Sequence, residues 1–321
     1  MNDSLLIYGA YGYTGRLIAR LAAERGLSPT LAGRNAEKLK TITAETGLDG
    51  LAFSLDSAAS IAEHLAGFSA VLHCAGPFSA TAAPMMAACL QAGVHYLDIT
   101  GEISVIEHAH GLDAAAKTAG VALMPAVGFD VVPSDCLAAK LAAELPSATH
   151  LELAFAGMES ISPGTAKTMF ENMPDGGRVR RAGQIIRVPA AHEVREIDFG
   201  ARKFWTMAIP WGDVASAYYS TGIGNITVFT AVPKKQIDAI RRFRWLAPLL
   251  KLPGVIPLGK KLIERRVPGP SDADRAKSRV HFWGRVYDDE GNEKQAVMTT
   301  PSGYQLTAET ALECALRAAR G

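Results

Sequence analysis

The sequence predicts an α/β protein: a Rossmann-type, doubly wound parallel sheet with a second, inserted α+β domain of mainly antiparallel strands. Three observations predict this fold class. Short apolar strands alternate with helices up to about residue 125, and the first strand runs into a glycine-rich turn followed by a helix. Beyond Pro125 this alternation gives way to turn-rich passages and strand patterns that read as antiparallel.

The first part of the chain is predicted as repeating strand–helix units. Strands are expected at 4–8, 29–33, 51–54, 70–73, 95–98 and 121–124. Helices are expected between them, near 14–25, 35–46, 57–66, 80–93 and 104–119. Ligands of such sheets bind beyond the carboxyl ends of the strands, so the candidate site residues are sought at those ends.

The second part begins with a helix predicted over 136–144. Strands then follow at 149–157, 184–188, 194–199, 226–231 and 279–287, and Gly291-Asn292 is predicted to turn a hairpin between 280–287 and 294–299. A last helix, from Thr307 to Arg320 with Thr307 as its cap, is expected to return to the first domain. The predicted domains are therefore 1–145 with 302–321, and 146–301.

The glycine-rich turn predicts a pyrophosphate site. A strand that ends in such a turn directs backbone N–H groups and a helix N-terminus at an anion. The candidate cofactor-binding residues here are Gly9, Tyr11, Gly12, Tyr13, Thr14 and Gly15. The alternative is a plain strand–turn–helix whose glycines only permit tight packing. The strand before the turn, the helix after it and a second strand at the expected distance favour the cofactor.

The tip of the second strand indicates which dinucleotide is bound. An acidic residue there would accept a hydrogen bond from the 2′-hydroxyl of NAD, whereas this chain has Arg34, a cation that can hold a 2′-phosphate. The sequence therefore predicts NADP(H). Asn35, beside Arg34, and Asp56, after the third strand, are further cofactor-binding candidates.

Two loops are candidates for the nicotinamide end of the cofactor. Cys74, Ala75, Gly76 and Pro77 follow strand four, where the backbone passes beside the nicotinamide ribose in such sheets. Gly128 and Phe129 lie where the chain crosses into the second domain. A structural turn at Gly76-Pro77, and a small buried apolar role for Cys74, are the alternatives.

The candidate catalytic residues are Thr100, Glu102 and Asp130. Thr100 and Glu102 follow strand five and would position substrate or relay a proton, or else they cap the next helix. Asp130 lies at the domain crossover and is less easily explained as a cap. A Tyr-x-x-x-Lys pair at a plausible position is not found in the sequence, so the proton donor stays open.

Five motifs in this order resemble the saccharopine dehydrogenase-like oxidoreductases, in particular the branch of trans-acting enoyl reductases. They are Gly9-Ala10-x-Gly12-Tyr13-Thr14-Gly15, Ala32-Gly33-Arg34, Gly76-Pro77-Phe78, Tyr96-x-Asp98-x-Thr100-Gly101-Glu102 and Gly128-Phe129-Asp130-x-x-Pro133-Ser134-Asp135. The resemblance implies NADP(H), a Rossmann domain and an inserted domain that shapes the substrate site and forms a homodimer. Tyr11, where relatives often have a small residue, is a departure from the pattern.

The resemblance also implies a reaction class. Hydride transfer to or from an apolar or amphipathic, lipid-like substrate is expected, with enoyl C=C reduction first and an imine or carbonyl next. The sequence lacks an evident group of convergent arginines, which argues against saccharopine itself. Because no acid/base residue is obvious, the alternative is a non-catalytic NADP(H)-binding redox sensor or scaffold.

Composition narrows the functional classes. With 33 basic and 32 acidic residues the net charge is +1, so we expect no nucleic-acid partner. Four scattered cysteines fit the reducing cytoplasm and argue against zinc. His108 and His110 fall on different helix faces, so no metal site is predicted. The N-terminus enters the first strand directly, so no signal peptide is expected.

One segment, 234–266, departs from this balanced composition. It has ten Lys and Arg against two acidic residues, interleaved with apolar runs, and prolines interrupt it too often for a bilayer-spanning helix. Two interpretations stay open. The segment is either a basic amphipathic surface for peripheral membrane contact or substrate steering, or a covered helix pair whose charges are simply solvated.

Overall fold

The computed structural model describes residues 4–157, 161–200, 202–252, 254–267 and 269–321. The chain divides into two compact units. The first comprises the residues up to Val132 together with Tyr304–Gly321, and the second comprises Pro133–Gly303.

The first unit is built on a six-stranded parallel sheet, which confirms the predicted fold class. The strand order is β3-β2-β1-β4-β5-β6, so the chain starts in the middle of the sheet and is wound outward in both directions. The strands are β1 Leu5–Tyr8, β2 Thr30–Gly33, β3 Gly50–Ala52, β4 Ala70–His73, β5 His95–Asp98 and β6 Leu123–Met124. All six therefore deliver the chain to the same edge of the sheet, as parallel strands must.

Helices connect these strands, mostly as predicted. They are α1 Tyr13–Glu24, α2 Ala36–Thr46, α3 Ala58–Leu65, α4 Phe78–Ala92, α5 Ile103–Gly111 and α6 Asp113–Ala119. The single helix predicted over 104–119 is wrong, because the chain turns at Leu112 (φ −96°, ψ 5°) and starts a second helix there. Gly111 stands directly before this turn, so the sequence does carry a local signal for the break, which the prediction of a single helix passed over.

The C-terminal helix α13, Gly303–Arg320, completes the core of the first unit, as predicted. Its buried residues Ala308, Ala311 and Leu312 share a cluster with Ile7 and Ile18. The expectation that Thr307 caps this helix is wrong. The helix begins four residues earlier, and the Thr307 hydroxyl instead accepts a hydrogen bond from the backbone N–H of Phe129, at 3.0 Å.

The second unit contains a mixed sheet in the order β10-β11-β12-β7-β13-β14, with a β8–β9 hairpin beside β12. The strands are β7 His150–Ala156, β8 Gly177–Arg181, β9 Gln184–Val188, β10 Val194–Asp198, β11 Lys203–Ile209, β12 Asn225–Ala231, β13 Arg279–Tyr287 and β14 Glu293–Pro301. The predicted β13–β14 hairpin is present. The β7–β12 pair is parallel, against the antiparallel expectation, and β8 and β11 were not predicted.

Helices α7 to α12 belong to the second unit almost entirely. They are α7 Val132–Glu144, α8 Pro163–Asn172, α9 Asp213–Thr221, α10 Lys234–Phe243, α11 Val255–Arg266 and α12 Asp272–Lys277, with 3₁₀ turns at Met173–Asp175 and Arg244–Lys251. The sequence placed α7 with the first domain. It is grouped with the second unit because Leu137 and Leu141 fill the space that a side chain at Gly284 of β13 would occupy.

The contribution of α13 to the first unit can be tested with Leu312→Ala. Leu312 is fully buried, so removing its side chain should lower the free energy of unfolding by about 2–5 kcal/mol. Urea denaturation followed by circular dichroism measures this. Glu313→Ala, at the neighbouring exposed position, is the matched control. Equal, small effects of both variants would mean that α13 is not part of the core.

Candidate cofactor and active site

The glycine turn after β1 combines tight packing with an open helix N-terminus. Gly9 has φ +85°, and a Cβ on it would lie 2.8 Å from the backbone nitrogen of Ala75. A Cβ on Gly15 would lie 2.3 Å from the Gly9 carbonyl oxygen. Both glycines are therefore required for packing, as the plain structural interpretation expects. The turn nevertheless has the shape of an anion site, because Gly12 is the N-cap of α1 and has no side chain to satisfy the first N–H groups of the helix.

Tyr11 links the glycine turn to the tip of β2. Its ring lies against Gly33, where a Cβ would come within 2.5 Å of the ring. Its hydroxyl accepts a 3.3 Å hydrogen bond from the backbone N–H of Asn35. The departure from the family pattern at residue 11 therefore has a structural role, since it ties together two loops that the sequence assigned separately to the cofactor.

Arg34 and Asn35 have different surroundings at the tip of β2. The Asn35 side chain caps α2, accepting the N–H of Lys38 at 2.9 Å, so its amide is committed to the helix. Arg34 is exposed, and none of the residues that the structure describes forms a hydrogen bond or an ion pair with it. A cation without a protein partner is available to an anionic ligand.

Asp56 lies in the same neighbourhood as Arg34. Both charges act on Tyr8, whose pKa is raised to about 12, mainly by burial, with Tyr11 and Asp56 raising it further and Arg34 lowering it. Asp56 is exposed in the loop between β3 and α3. The structure thus brings Tyr11, Arg34 and Asp56 together around the carboxyl end of β1.

The loop after β4 lies beside the glycine turn. The backbone N–H of Cys74 bonds to the Tyr8 carbonyl at 2.7 Å, and Ala75 lies against Gly9. Burial, with a smaller effect of Asp98, raises the pKa of the Cys74 thiol, which therefore stays protonated and unreactive. Gly76 and Pro77 are exposed, are joined by a cis peptide, and lead directly into α4.

His73, at the end of β4, was missed by the sequence analysis. It is fully buried against the rings of Tyr8, Phe78 and Tyr96, and its Nε2 lies 3.0 Å from the Thr81 hydroxyl. Burial lowers its pKa to about 3, so the imidazole is neutral. Because it is enclosed by aromatic rings, we assign it to the core beneath the loop rather than to chemistry.

Glu102 anchors the N-terminus of α4. Its two carboxylate oxygens accept the backbone N–H groups of Phe78 and Ser79, each at 2.9 Å. Capping of the following helix was the alternative to a catalytic role for Thr100 and Glu102, but the Glu102 side chain stabilises α4 instead. The Thr100 hydroxyl accepts the N–H of Glu102 at 3.0 Å and holds that residue in place. These contacts make both residues positioning groups, and their catalytic roles stay predictions.

Asp98 connects the loop after β5 with the loop after β6 through hydrogen bonds. It is fully buried at the end of β5, and its carboxylate accepts three hydrogen bonds, from the Tyr96 hydroxyl (2.6 Å) and from the backbone N–H groups of Thr100 (2.9 Å) and Ala126 (2.8 Å). Burial raises its pKa to about 6, while the three hydrogen bonds oppose that shift. In the sequence, Asp98 stands out only as part of a motif, and no role of its own could be predicted for it.

The loop that contains Gly128 and Phe129 is held by α13. The Thr307 hydroxyl accepts the N–H of Phe129, and the Thr310 hydroxyl donates to the Val127 carbonyl at 2.9 Å. A Cβ on Gly128 would come within 2.9 Å of the Thr307 methyl group. The C-terminal helix therefore fixes the position of this predicted nicotinamide loop, which no local sequence pattern could reveal.

Asp130 differs from the other carboxylates of the site. Its Oδ2 would lie 2.7 Å from a Cβ on Gly101, so Asp130 is placed against the loop after β5. Burial raises its pKa to about 7. Across the described part of the chain, its side chain forms no hydrogen bond or ion pair. A pKa near 7 suits a group that exchanges a proton at neutral pH, and no described residue bonds to this carboxyl group.

The described residues also bear on two other kinds of site. No group of three or more His, Cys, Asp or Glu side chains there has the arrangement of a metal site. Within the same residues, no helix combines the length and apolar character that crossing a membrane needs.

Comparison with known proteins identifies the first unit. Residues 5–124 match the family model of the saccharopine dehydrogenase NADP binding domain. The predicted resemblance and the predicted cofactor, NADP, are thereby confirmed. The open α1 N-terminus fits that cofactor, and so does Arg34, which pairs with none of the described residues. The first unit is therefore an NADP-binding domain of the saccharopine dehydrogenase type.

Among curated proteins the chain is similar to trans-acting enoyl reductases. That of Mycobacterium tuberculosis (strain ATCC 25618 / H37Rv) is 26% identical over 337 residues, which cover 88% of this chain and 80% of that protein. That of Mycobacterium leprae is 36% identical over 141 residues, which cover 41% of this chain and only 33% of that protein. The stronger identity is thus confined to a part of each chain.

A solved structure shares the fold over the whole length. Apo saccharopine dehydrogenase (L-Glu forming) from Saccharomyces cerevisiae superposes with a TM-score of 0.63 at 10% identity, covering 99% of this chain and 90% of that one. At this identity the likeness shows the fold alone, a Rossmann-like sheet followed by a mixed-sheet unit.

The anchoring role of Glu102 can be tested with Glu102→Gln. In the variant, an amide N–H₂ replaces one of the two carboxylate oxygens, so the backbone N–H of either Phe78 or Ser79 loses its acceptor. The free energy of unfolding should therefore fall by about 1–3 kcal/mol. Glu63→Gln, at an exposed position of α3, is the matched control. Unchanged stability of Glu102→Gln, together with a loss of turnover, would assign Glu102 to catalysis instead.

Proposed function

We propose that this protein uses NADPH to reduce the activated C=C bond of an apolar or amphipathic enoyl substrate. The support is of three kinds: the NADP-binding domain, the similarity to proteins named trans-acting enoyl reductases, and a protonatable carboxyl group beside the loops assigned to the nicotinamide. The last of these carries the proposal, since reduction of a C=C bond needs a proton as well as a hydride.

The adenosine end of the cofactor is assigned to residues around β1 and β2. Arg34 would hold the 2′-phosphate, because its guanidinium is exposed and has no partner among the described residues. The turn from Gly9 to Gly15 would hold the pyrophosphate at the open N-terminus of α1. Tyr11 would keep these two elements at a fixed separation through its contacts with Gly33 and Asn35.

The nicotinamide end is assigned to the loops that follow β4, β5 and β6. The loop at Gly76-Pro77 is fixed by Glu102, and the loop at Gly128-Phe129 is fixed by Thr307. Both lie at the carboxyl edge of the sheet, where ligands of this fold class bind. When bound there, NADPH supplies the hydride.

Asp130 is the proton donor in this proposal. A carboxyl group whose pKa lies near 7 is suited to donate a proton at neutral pH. Asp130 would deliver this proton to the α-carbon of the enoyl group, which would hold the former C=C electron pair once the β-carbon has received the hydride. The Asp130 carboxylate then regains a proton from solvent. An imine or a carbonyl would use the same two groups, so the substrate screen must include both.

The cofactor assignment predicts a change of preference in Arg34→Ala. Loss of the guanidinium should raise the Kd for NADPH by at least about tenfold, equivalent to about 1.4 kcal/mol, and leave the Kd for NADH nearly unchanged. Calorimetric titration of both cofactors measures this, with Arg25→Ala as an exposed-arginine control. Equal weakening of both cofactors would remove Arg34 from the 2′-phosphate.

The proton-donor assignment predicts a pH profile. Because Asp130 acts in its protonated form, kcat/KM for an enoyl thioester should be level at low pH and fall as pH rises through about 7. In Asp130→Asn, kcat should drop about 10²–10⁴-fold and this fall should disappear. Asp113→Asn, at an exposed, ion-paired position of α6, is the control. Tight NADPH binding with no turnover on any enoyl, imine or carbonyl substrate would favour the sensor or scaffold instead.

The raised pKa of Asp130 also predicts how the stability of the wild-type protein changes with pH. Folding favours the protonated form of Asp130, so this contribution is complete below the ordinary pKa of 3.8 and is lost as pH rises through about 7. Urea unfolding from pH 4 to pH 8 should show a steeper decline for the wild type than for Asp130→Asn. Parallel curves would mean that the pKa of Asp130 is ordinary.

A further inference from the structure

The segment 234–266 exposes large apolar side chains beside basic ones. Trp245 is 72% exposed and Leu258 is 70% exposed, values typical of polar surface residues rather than of such side chains. The other exposed apolar members are Phe243, Leu249, Leu252 and Leu262. We call this set of six residues the apolar stripe. Its exposure contradicts the interpretation of the segment as a covered helix pair.

The helix α11 is already packed by a different face. Gly259 lies against the ring of Phe170 in α8, so close that a Cβ there would meet the ring at 2.2 Å. Two ion pairs, Lys260–Glu171 at 2.7 Å and Lys167–Glu264 at 3.0 Å, join the same two helices. Leu258 and Leu262 are spaced i,i+4 on another side, so the packing that holds α11 in place leaves them uncovered.

The 3₁₀ segment before α11 repeats this arrangement. Trp245, Leu249 and Leu252 follow one another at intervals of four and three residues, and all three are exposed. The preceding helix α10 is anchored on its other side, because Ile237 is fully buried and the Arg241 Nε donates to the Ala191 carbonyl at 3.2 Å. The apolar stripe is therefore presented by helices that are themselves fixed to the second unit.

The charge around the stripe is strongly positive. The segment carries ten basic residues against two acidic ones, while the rest of the chain is net acidic, so the overall charge of +1 conceals a local cationic surface. The two acidic residues, Asp238 and Glu264, are already paired with lysines. Among the side chains that the structure describes in this segment, the exposed bases are Lys234, Lys235, Arg241, Arg242, Arg244, Lys261 and Arg266.

We propose that this surface docks on an anionic lipid bilayer, with the apolar stripe in the headgroup region and the surrounding bases on lipid phosphates. Apolar side chains flanked by Lys and Arg are the combination that interfacial helices use. A second copy of the chain fits less well, because a twofold pairing of this surface would bring the same cations together.

Vesicle flotation with the full chain tests the proposal. The protein should float with vesicles of phosphatidylcholine and phosphatidylglycerol but not with phosphatidylcholine alone, and 0.5 M NaCl should weaken binding at least tenfold. Trp245 fluorescence should shift to the blue on the anionic vesicles. Trp245→Phe should abolish most of that shift, whereas Trp205→Phe, outside the stripe, should retain it.

Matched double variants separate the surface from general charge. Arg242→Glu/Lys261→Glu should lower vesicle binding at least tenfold, and Lys203→Glu/Lys294→Glu, an equal charge change on the β-strands, should not. Circular dichroism checks that each variant is folded. The proposal would be overturned if both double variants lost vesicle binding equally, or if the wild type did not bind vesicles. It would also be overturned if the wild type were a dimer that bound no vesicles and that Trp245→Glu converted to a monomer.

Discussion

One buried carboxylate holds the candidate site together. Asp98 lies at the end of β5, fully removed from solvent, and accepts hydrogen bonds from Tyr96, Thr100 and Ala126. A buried ionised carboxylate is costly unless it is hydrogen-bonded, and here three donors offset that cost. The same three bonds fix the start of the loop after β5 and the start of the loop after β6, so the burial of this charge is also what orders the edge of the sheet.

The order imposed by Asp98 extends to the loops assigned to the nicotinamide. Thr100, held by Asp98, accepts the N–H of Glu102, and Glu102 in turn accepts two N–H groups at the start of α4, next to Gly76-Pro77. On the other side, Val127 follows the anchored Ala126, and α13 holds the residues beyond it through Thr307 and Thr310. Asp130 comes at the end of this arrangement and alone among these groups is left without a protein partner in the described part of the chain.

Local sequence patterns were sufficient to predict the Rossmann fold and its cofactor, NADP. Alternating strands and helices, the glycines at 9, 12 and 15, and the cation at Arg34 are each read within a short window, and they predicted the sheet, the turn and NADP. Contacts between distant segments were not readable in this way. Three such contacts join residues that are far apart in sequence. They are the capping of α4 by Glu102, the hydrogen bond between Thr307 and Phe129, and the parallel β7–β12 pair. The break at Leu112 was missed for another reason, since Gly111, directly before it, was taken as an interior residue of one long helix.

Hydrogen exchange in Asp98→Asn tests most directly whether one carboxylate orders the site. The account predicts that the amides of Phe78, Ser79, Glu102 and Val127 exchange faster together, while the N-terminal turn of α1 is unchanged and the exposed control Asp49→Asn has no effect. Acceleration confined to the residues next to position 98, with normal protection of Phe78 and Ser79, would show that the loops are ordered independently and would contradict the account.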